Sequence, residues 1–286
     1  MSVVVRYARV ARVHALGMSV GPILCCYLYC RSRYDSLNIM AYIFVSIAIL
    51  LFHLSVNTVS EYRDCLKGVD DGNVDGPRYR LVTGIVEAKY VLRLGISAFL
   101  TAIASGIMAT ITSSLILLVP GFVGAGLALF YSEWPIGYKY KALGEIGVFI
   151  AYGPLLVFSC IFSLANQVCW QDMLISIPIG LLTMCVLLAN NIRDFDFDLG
   201  KTKTLPSVMG LKIAYTILFS SVHLSFAIVP ILIYLGLITK MGFIIFLAYP
   251  IIFTTIKTIN SSKFVDVFGI IQAVFCGLLA IGLLNK

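Results

Sequence analysis

Two short polar segments contain most of the acidic residues of this chain. The first runs from Asn57 to Asp70 and the second from Asn190 to Lys201, and eight of the fourteen Asp and Glu residues lie in or just after them. Each segment follows a long apolar run, where carboxylates repel one another and resist desolvation. A bound cation would offset both effects, so these segments are the first candidates for a chemical site.

Spacings of three and four residues join the polar side chains of each segment, as on one face of a helix. In the first segment these residues are Asn57, Ser60, Glu61 and Asp64. In the second segment they are Asn190, Asn191, Asp194 and Asp198. Magnesium prefers oxygen ligands and usually binds through one or two carboxylates together with substrate phosphates. The two faces therefore predict a site for Mg²⁺ and a diphosphate.

Basic residues interleaved with the acids support the diphosphate. They are Arg63, Lys67, Arg78, Arg80, Arg193, Lys201 and Lys203, with Lys141 in the loop between the segments. Arginine offers paired donors to phosphate oxygens, and a metal site alone would not need so many cations. The alternative is that some of these charges are simply solvated beside a membrane, and this applies most to Asp71, Asp75 and Asp196.

The rest of the chain has the composition of a polytopic membrane protein. Hydrophobic residues make up 60% and charged residues 12% of the 286 residues, and the mean hydropathy is +0.97. Nine stretches approach the roughly 20 residues that span a bilayer. They lie at 14–30, 40–59, 90–109, 111–131, 146–166, 172–189, 210–236, 241–256 and 265–284. We expect one all-α domain over residues 1–286, with a loose internal duplication of the acidic motifs.

The distribution of Lys and Arg predicts the orientation of these spans. With the N-terminus inside, seventeen of the 21 basic residues face the cytoplasm, as the positive-inside rule requires. This arrangement places both acidic segments on the cytoplasmic side of the cell membrane and the C-terminus outside. The basic residues are spread over short membrane loops without a recognition motif, so nucleic acid is not an expected partner.

The motifs resemble the UbiA superfamily of intramembrane prenyltransferases, and in particular the branch that prenylates dihydroxynaphthoate for menaquinone. The segment NTVSEYRDCLKGVD is similar to N-x-x-N-D-Y-x-D-x-x-K-G-x-D, and NNIRDFDFDLGKTKTLP to N-N-x-R-D-x-x-x-D-x-x-x-G-K-x-T-L. The segments YKALGEIGVFIAYGPL and RVHALGMSVGPIL are similar to two further motifs of that branch. The chain departs from the pattern at Ser60, where the family has Asn, and at Glu61, where it has Asp.

The resemblance implies a nine-helix bundle around a central cavity that is capped by cytoplasmic loops. It implies Mg²⁺ as cofactor, with a polyprenyl diphosphate, an aromatic acceptor and membrane lipids as partners. The implied metal ligands are Glu61, Asp64, Asp70, Asp194 and Asp198, and the implied catalytic residues are Asp64, Asp194, Asp198 and Lys141. The implied substrate-binding residues are Asn57, Ser60, Arg63, Lys67, Arg80, Tyr138, Tyr140, Asn190, Asn191, Arg193 and Lys201.

Three alternatives stay open at this point. The acceptor could be hydroxybenzoate, homogentisate or a glycerol phosphate lipid rather than dihydroxynaphthoate. The protein could be a secondary transporter, because duplicated helical halves also occur there, although transporter acids usually lie near the middle of the membrane. It could also bind polyprenyl diphosphate without turnover, as Ser60 and Glu61 would allow.

Overall fold

The computed structural model describes residues 3–69, 86–133, 135–259 and 263–283. In these ranges the chain is helical and contains no β-strand beyond a single bridge between Lys141 and Lys203. The α-helices are α1 (Val3–Val10), α2 (Gly17–Arg33), α3 (Ile39–Leu66), α4 (Ala88–Thr112), α5 (Leu118–Leu129), α6 (Gly144–Ile150), α7 (Leu156–Ala165), α8 (Ser176–Arg193), α9 (Phe195–Asp198), α10 (Leu205–Met209), α11 (Leu211–Tyr234), α12 (Ile252–Thr258) and α13 (Phe264–Leu283).

Seven helices of the described part are long and apolar enough to cross a membrane. They are Val13–Arg33, Ile39–Leu66, Ala88–Thr112, Gly144–Ala165, Asp172–Arg193, Leu211–Tyr234 and Phe264–Leu283. Two shorter apolar helices, Leu115–Leu129 and Lys240–Thr255, lie where the sequence predicts the two remaining spans. The prediction of a helical integral membrane protein is confirmed, whereas the count of nine spans stays a prediction.

Helix α3 carries the first acidic segment because nothing in its sequence ends the helix earlier. Asn38 caps its start, where the side-chain oxygen accepts a hydrogen bond from the amide of Ala41 at 3.0 Å. The helix then continues through the polar residues to Leu66, and the chain turns at Gly68, which has a φ of 62°. The helical face predicted for the first segment is therefore present.

Helix α8 runs through the bundle core and ends at the second acidic segment. Ile179, Leu182 and Leu188 on this helix are at most 1% exposed. Its Gly180 meets Gly153 so closely that a Cβ at Gly180 would lie 2.9 Å from the Cα of Gly153. Gly153 belongs to a π-helical segment, Ala151–Leu155, which joins α6 to α7 and contains Pro154.

A buried carboxylate fixes the end of the bundle that is remote from the acidic segments. Asp172 is fully buried at the start of the Asp172–Arg193 span. It accepts hydrogen bonds from the hydroxyls of Tyr29 at 2.5 Å and Tyr34 at 2.7 Å. The guanidinium of Arg33 lies 3.1 Å from the same carboxylate. We call these four residues the Asp172 cluster, and they connect α2 to the start of the α8 span.

Candidate active site

The polar face of α3 is buried where it enters the site. Ser60, Glu61 and Asp64 are 6%, 2% and 0% exposed, respectively. Such burial is expensive for carboxylates unless partners compensate it. Each of the two acids has a cationic partner in the described residues, and both partners come from other parts of the chain.

Asp64 is held by the loop that lies between the two acidic segments. Its carboxylate forms an ion pair with the Nζ of Lys139 and accepts a hydrogen bond from the hydroxyl of Tyr140 at 2.7 Å. The same lysine donates to the Oγ of Ser60 at 2.7 Å. The Nζ of Lys67 lies 3.3 Å from the centre of the Tyr140 ring, a cation–π arrangement. Partial burial lowers the pKa of Lys67.

A tight turn, Tyr138–Tyr140, directs this loop toward Asp64. The turn begins after Gly137, which has a left-handed φ of 52° that glycine adopts readily. The Tyr138 hydroxyl donates to the carbonyl of Leu127 at 2.9 Å, and its ring packs edge-on against Tyr131 with centroids 5.3 Å apart. Burial raises the pKa of both tyrosines, so both phenols stay protonated and able to donate.

Lys141 does not contact Asp64 through this turn. Its side chain is exposed, and its backbone pairs with Lys203 of the second acidic region. The amide of Ala142 donates to the carbonyl of Lys203 at 2.8 Å. The sequence assigned the catalytic role in this loop to Lys141, whereas the lysine that the structure brings to the acid is Lys139. A run of Tyr, Lys, Tyr and Lys gives no signal for which lysine the turn directs inward.

The second acidic segment bends at Asp194, where α8 ends and the single turn of α9 begins. Arg193 makes two hydrogen bonds to Asp194, from Nε and Nη2, both at 2.8 Å. Its Nη2 also donates to the Oδ1 of Asn190 at 2.8 Å, and Asn190 donates to Asp194 at 3.2 Å. Asp198 is 6% exposed, whereas Asp196 is exposed, as expected for a residue off the predicted face.

Two further polar partners were not identified from the sequence. Arg12 forms an ion pair with Glu61, with Nε and Oε1 2.7 Å apart, and it has a left-handed φ of 50°. Glu145 is 2% exposed and accepts a hydrogen bond from Asn191 at 2.8 Å. Both pairs join residues more than forty positions apart, so no local sequence pattern predicts them.

The two acidic segments meet at one end of the bundle. A cavity of about 40 Å³ is lined by residues of both segments, by Arg12 and by Lys139. The Nζ of Lys201 donates to the carbonyl of Val69 at 3.2 Å, which ties the end of the first segment to the second. Arg63 does not line this cavity and forms a two-pronged ion pair with Glu133.

A much larger cavity, of about 880 Å³, continues from this end into the bundle. Asn57, Asn190, Arg12 and Arg193 lie at its polar end, and the Nδ2 of Asn57 is buried there without a hydrogen-bond partner in the described residues. Apolar and small side chains line most of its wall, among them Gly106, Gly121 and Gly124. The site thus combines a charged end with a long apolar chamber.

The donor set fits Mg²⁺ shared with a ligand better than a metal held by protein alone. No group of three or more His, Cys, Asp or Glu side chains within the described ranges could hold a metal by itself. Asp64 comes from α3, whereas Asp194 and Asp198 come from the segment that follows α8. Magnesium commonly takes one or two carboxylates and completes its shell with waters and phosphate oxygens. Asp70 and Arg80, two predicted site residues, lie outside the described residues.

Sequence comparison relates this chain to known prenyltransferases. A 1,4-dihydroxy-2-naphthoate octaprenyltransferase of Bacillus subtilis is 29% identical over 243 residues, covering 85% of this chain and 78% of that protein. The UbiA prenyltransferase domain-containing protein 1 of Xenopus tropicalis is 30% identical over 203 residues, covering 69% of this chain and 57% of that protein.

Solved structures share the fold at lower identity. A UbiA homolog from Archaeoglobus fulgidus bound to DMAPP and Mg²⁺ superimposes with a TM-score of 0.66 and 17% identity, covering 98% of this chain and 99% of that one. A UbiA homolog from Aeropyrum pernix K1 gives a TM-score of 0.66 with 13% identity over 94% and 97% of the two chains. A family model matches residues 19–265, so the chain belongs to the UbiA prenyltransferase family and is an enzyme of prenyl transfer.

Proposed function

We propose that this enzyme transfers a polyprenyl group from a polyprenyl diphosphate to an aromatic acceptor, most specifically 1,4-dihydroxy-2-naphthoate, in a Mg²⁺-dependent reaction. The observation that carries the proposal is the junction of two acidic segments, with interleaved Lys and Arg side chains, at the mouth of an apolar cavity of about 880 Å³. One end suits a metal-bound diphosphate, and the other suits an isoprenoid chain.

The charged end supplies the groups that the leaving diphosphate needs. Arg12 and Lys139 line the small cavity, and Arg9, Arg12 and Arg193 line the large one. These cations can donate to phosphate oxygens when the allylic carbon–oxygen bond breaks. Asp64, Asp194 and Asp198, with Glu61 and Asp70, would hold Mg²⁺, which neutralises charge on the diphosphate as it leaves. Asn57, Asn190 and Asn191 orient the carboxylates or the diphosphate.

The apolar chamber keeps water from the reacting carbon. The breaking bond leaves a positively charged allylic carbon, which a nearby water molecule would capture to give an alcohol. Tyr131 and Tyr138, from the loop between the two acidic segments, form part of the cavity wall. The acceptor ring then attacks the allylic carbon in place of water, and a carbon–carbon bond replaces the carbon–oxygen bond to the departing diphosphate. The attacked ring carbon regains aromaticity by losing the group it carried, either a proton or, at a carboxylated carbon, CO2.

The choice of acceptor rests on the relatives. The protein of Bacillus subtilis that is 29% identical over most of this chain is named for dihydroxynaphthoate, and the motifs of the sequence resemble the same branch. The acids lie at the ends of their helices rather than in the middle of the spans, which favours transfer chemistry over ion-coupled transport.

An acceptor panel tests this assignment. Membranes that contain the protein are incubated with Mg²⁺, labelled geranylgeranyl diphosphate and dihydroxynaphthoate, hydroxybenzoate, homogentisate or a glycerol phosphate lipid in parallel. We expect labelled product with dihydroxynaphthoate and its loss when EDTA is added or when Asp64→Asn and Asp194→Asn are combined. Transfer to another acceptor alone would contradict the dihydroxynaphthoate assignment. Product formation by the double variant would contradict the proposed diphosphate site at the two acidic segments.

The proposal includes an orientation. Both acidic segments, the capping loop and the N-terminus face the cytoplasm, where soluble substrates and Mg²⁺ are available, while the Asp172 cluster faces the opposite side. The support is the bias of Lys and Arg toward the loops at the acidic end.

A further inference from the structure

His53 is a polar side chain in the inner part of the large cavity. It lies four residues before Asn57 on α3, is 7% exposed and lines the cavity. One turn of helix rises about 5.4 Å, so the imidazole lies roughly one turn deeper than the end of the cavity that we assign to the diphosphate. If the diphosphate of a donor binds at that end, the allylic carbon next to it would lie near this depth.

The imidazole ring is held in a fixed orientation. The Oγ of Ser19 on α2 lies 2.7 Å from Nδ1 of His53, and Ser19 is fully buried. The ring of Tyr152 packs edge-on against the imidazole, with centroids 5.2 Å apart and planes at 83°. Since Ser19 engages Nδ1, the Nε2 atom is the ring nitrogen that remains for a ligand among the described residues.

Tyr152 owes its position to the π-helical segment between α6 and α7. This segment, Ala151–Leu155, packs closely against α8. A Cβ on Gly153 would lie only 2.9 Å from the carbonyl oxygen of Ser176. An extra residue in a helical turn redirects the side chains beside it, and such turns are frequent at functional sites. Here the segment brings Tyr152 into the cavity wall beside His53.

Three other hydroxyls of the cavity wall donate to backbone carbonyls. Tyr138 donates to Leu127 at 2.9 Å, Ser159 donates to its own helix at 2.7 Å, and Thr183 does the same at 2.9 Å. The Nε2 of His53 has no hydrogen-bond partner among the described residues, a property that it shares with the Nδ2 of Asn57 and the Oε1 of Gln272 in the same cavity wall. A polar atom in the wall of a largely apolar cavity can hydrogen-bond a ligand bound there, so this nitrogen indicates a ligand with a hydrogen-bonding group.

An isoprenoid chain has no hydrogen-bonding atom, and a diphosphate belongs with the cations at the mouth of the cavity. A hydroxylated aromatic ring has a flat apolar face for Tyr152 and a polar edge for His53. We propose that His53 and Tyr152 form the binding site for the acceptor ring, with a ring hydroxyl hydrogen-bonded to Nε2 of His53. Ser19 is a positioning residue that fixes the imidazole. This inference rests on the proposed transfer to an aromatic acceptor.

The first test separates acceptor binding from donor binding by steady-state kinetics. We expect His53→Leu to raise the KM for the acceptor about tenfold, which corresponds to the loss of one hydrogen bond to a buried group, and to leave the KM for the donor unchanged. We expect His53→Gln to recover part of the loss, because its terminal amide nitrogen can reach the position of Nε2. An unchanged acceptor KM in His53→Leu, or an equal rise in both KM values, would overturn the proposal.

The chain supplies a matched control in a second His–Tyr pair. The Nδ1 of His223 lies 2.9 Å from the hydroxyl of Tyr249, and His223 is exposed on α11 rather than part of the cavity wall. We expect His223→Leu to keep both KM values of the unmodified enzyme. A rise in acceptor KM in this variant equal to that in His53→Leu would show a general effect of losing a histidine and would contradict the proposal.

The second test changes the acceptor instead of the protein. Naphthoates that lack one ring hydroxyl at a time are compared with dihydroxynaphthoate in the unmodified enzyme and in Ser19→Ala, which keeps the imidazole but frees it. With the unmodified enzyme, one deoxy acceptor should have a higher KM than dihydroxynaphthoate. Ser19→Ala should not raise the KM for that deoxy acceptor any further. Equal KM values for all acceptors would overturn the site even if His53→Leu failed to fold. If the unmodified enzyme transferred to no aromatic acceptor, the proposed function itself would fail first.

Discussion

Lys139 lines the small cavity between the two acidic segments and joins two polar side chains of α3. Its Nζ contacts both Ser60 and Asp64, and the lysine side chain is 15% exposed. A cation in this position can hold Asp64 while the site is empty of substrate and donate to the diphosphate when it is present. Ser60, which replaces the asparagine of the family pattern, thereby acquires a defined partner.

We expect Lys139→Met to lower kcat by on the order of 100-fold, because a preorganised donor to the leaving group is lost. The measurement is the rate of labelled product formation in membranes at saturating donor. Lys141→Met serves as the comparison, and its loss should be much smaller because that side chain is exposed. Lys212→Met, at an exposed lysine of α11, controls for the change of charge. A larger loss of kcat in Lys141→Met than in Lys139→Met would show that Lys141, the residue predicted from the sequence, has this role.

The tight turn Tyr138–Tyr140 shows how an element positions these side chains. Gly147 on α6 lies beneath the ring of Tyr138, and a Cβ on Gly147 would lie 2.3 Å from the Cε2 atom of that ring. The ring cannot move away easily, because its hydroxyl is bound to Leu127 and its edge packs on Tyr131. A shift of Tyr138 would move the whole turn that carries Lys139.

We therefore expect Gly147→Ala to reduce activity at least tenfold and to reduce stability by about 1–3 kcal/mol, the usual cost of overpacking. Activity is measured in membranes, and stability by thermal unfolding in detergent. Gly277→Ala is the matched control, since a Cβ there would meet nothing within 4 Å. If Gly147→Ala lost stability but kept full activity, the turn would not be the element that positions Lys139.

Helical periodicity predicted those parts of the site that lie along one helix. The face Asn57, Ser60, Glu61 and Asp64 is present because α3 continues to Leu66. The helix that carries the second face bends at Asp194, but the four-residue spacing of its polar residues is kept. The amide of Asp194 donates to the carbonyl of Asn190, and the amide of Asp198 donates to the carbonyl of Asp194. The contact of Lys139 with Asp64 depends on a turn geometry that periodicity does not encode. The ion pair of Arg12 with Glu61 depends on tertiary packing between distant segments.

The bundle as a whole separates its charges toward its two ends. The acidic segments and their cations lie at one end, and the Asp172 cluster lies at the other, about 30 Å away along the Asp172–Arg193 span. The eight cysteines follow this division in a way that can report orientation. Six of them are buried, Cys65 is half-buried near the acidic end, and Cys169 is exposed near the Asp172 cluster.

We expect a membrane-impermeant maleimide added to intact cells to label Cys65→Ser, which keeps Cys169, and to leave Cys169→Ser unlabelled. The physical reason is that the proposed orientation exposes only the Asp172 end to the outer medium. Labelling after the cells are opened provides the control for reactivity of Cys65. The reverse pattern in intact cells would place the acidic site outside and contradict the proposed orientation.

The Asp172 cluster affects where the bundle can open locally. Two phenols, a guanidinium and the amide of Cys169 converge on one buried carboxylate, so local opening there must break several bonds at once. The span that starts at this carboxylate is therefore held firmly at that end, and Asp194 follows its other end. Hydrogen exchange of backbone amides should therefore be slowest beside Asp172 and should quicken toward the acids, where the entry of substrates requires movement.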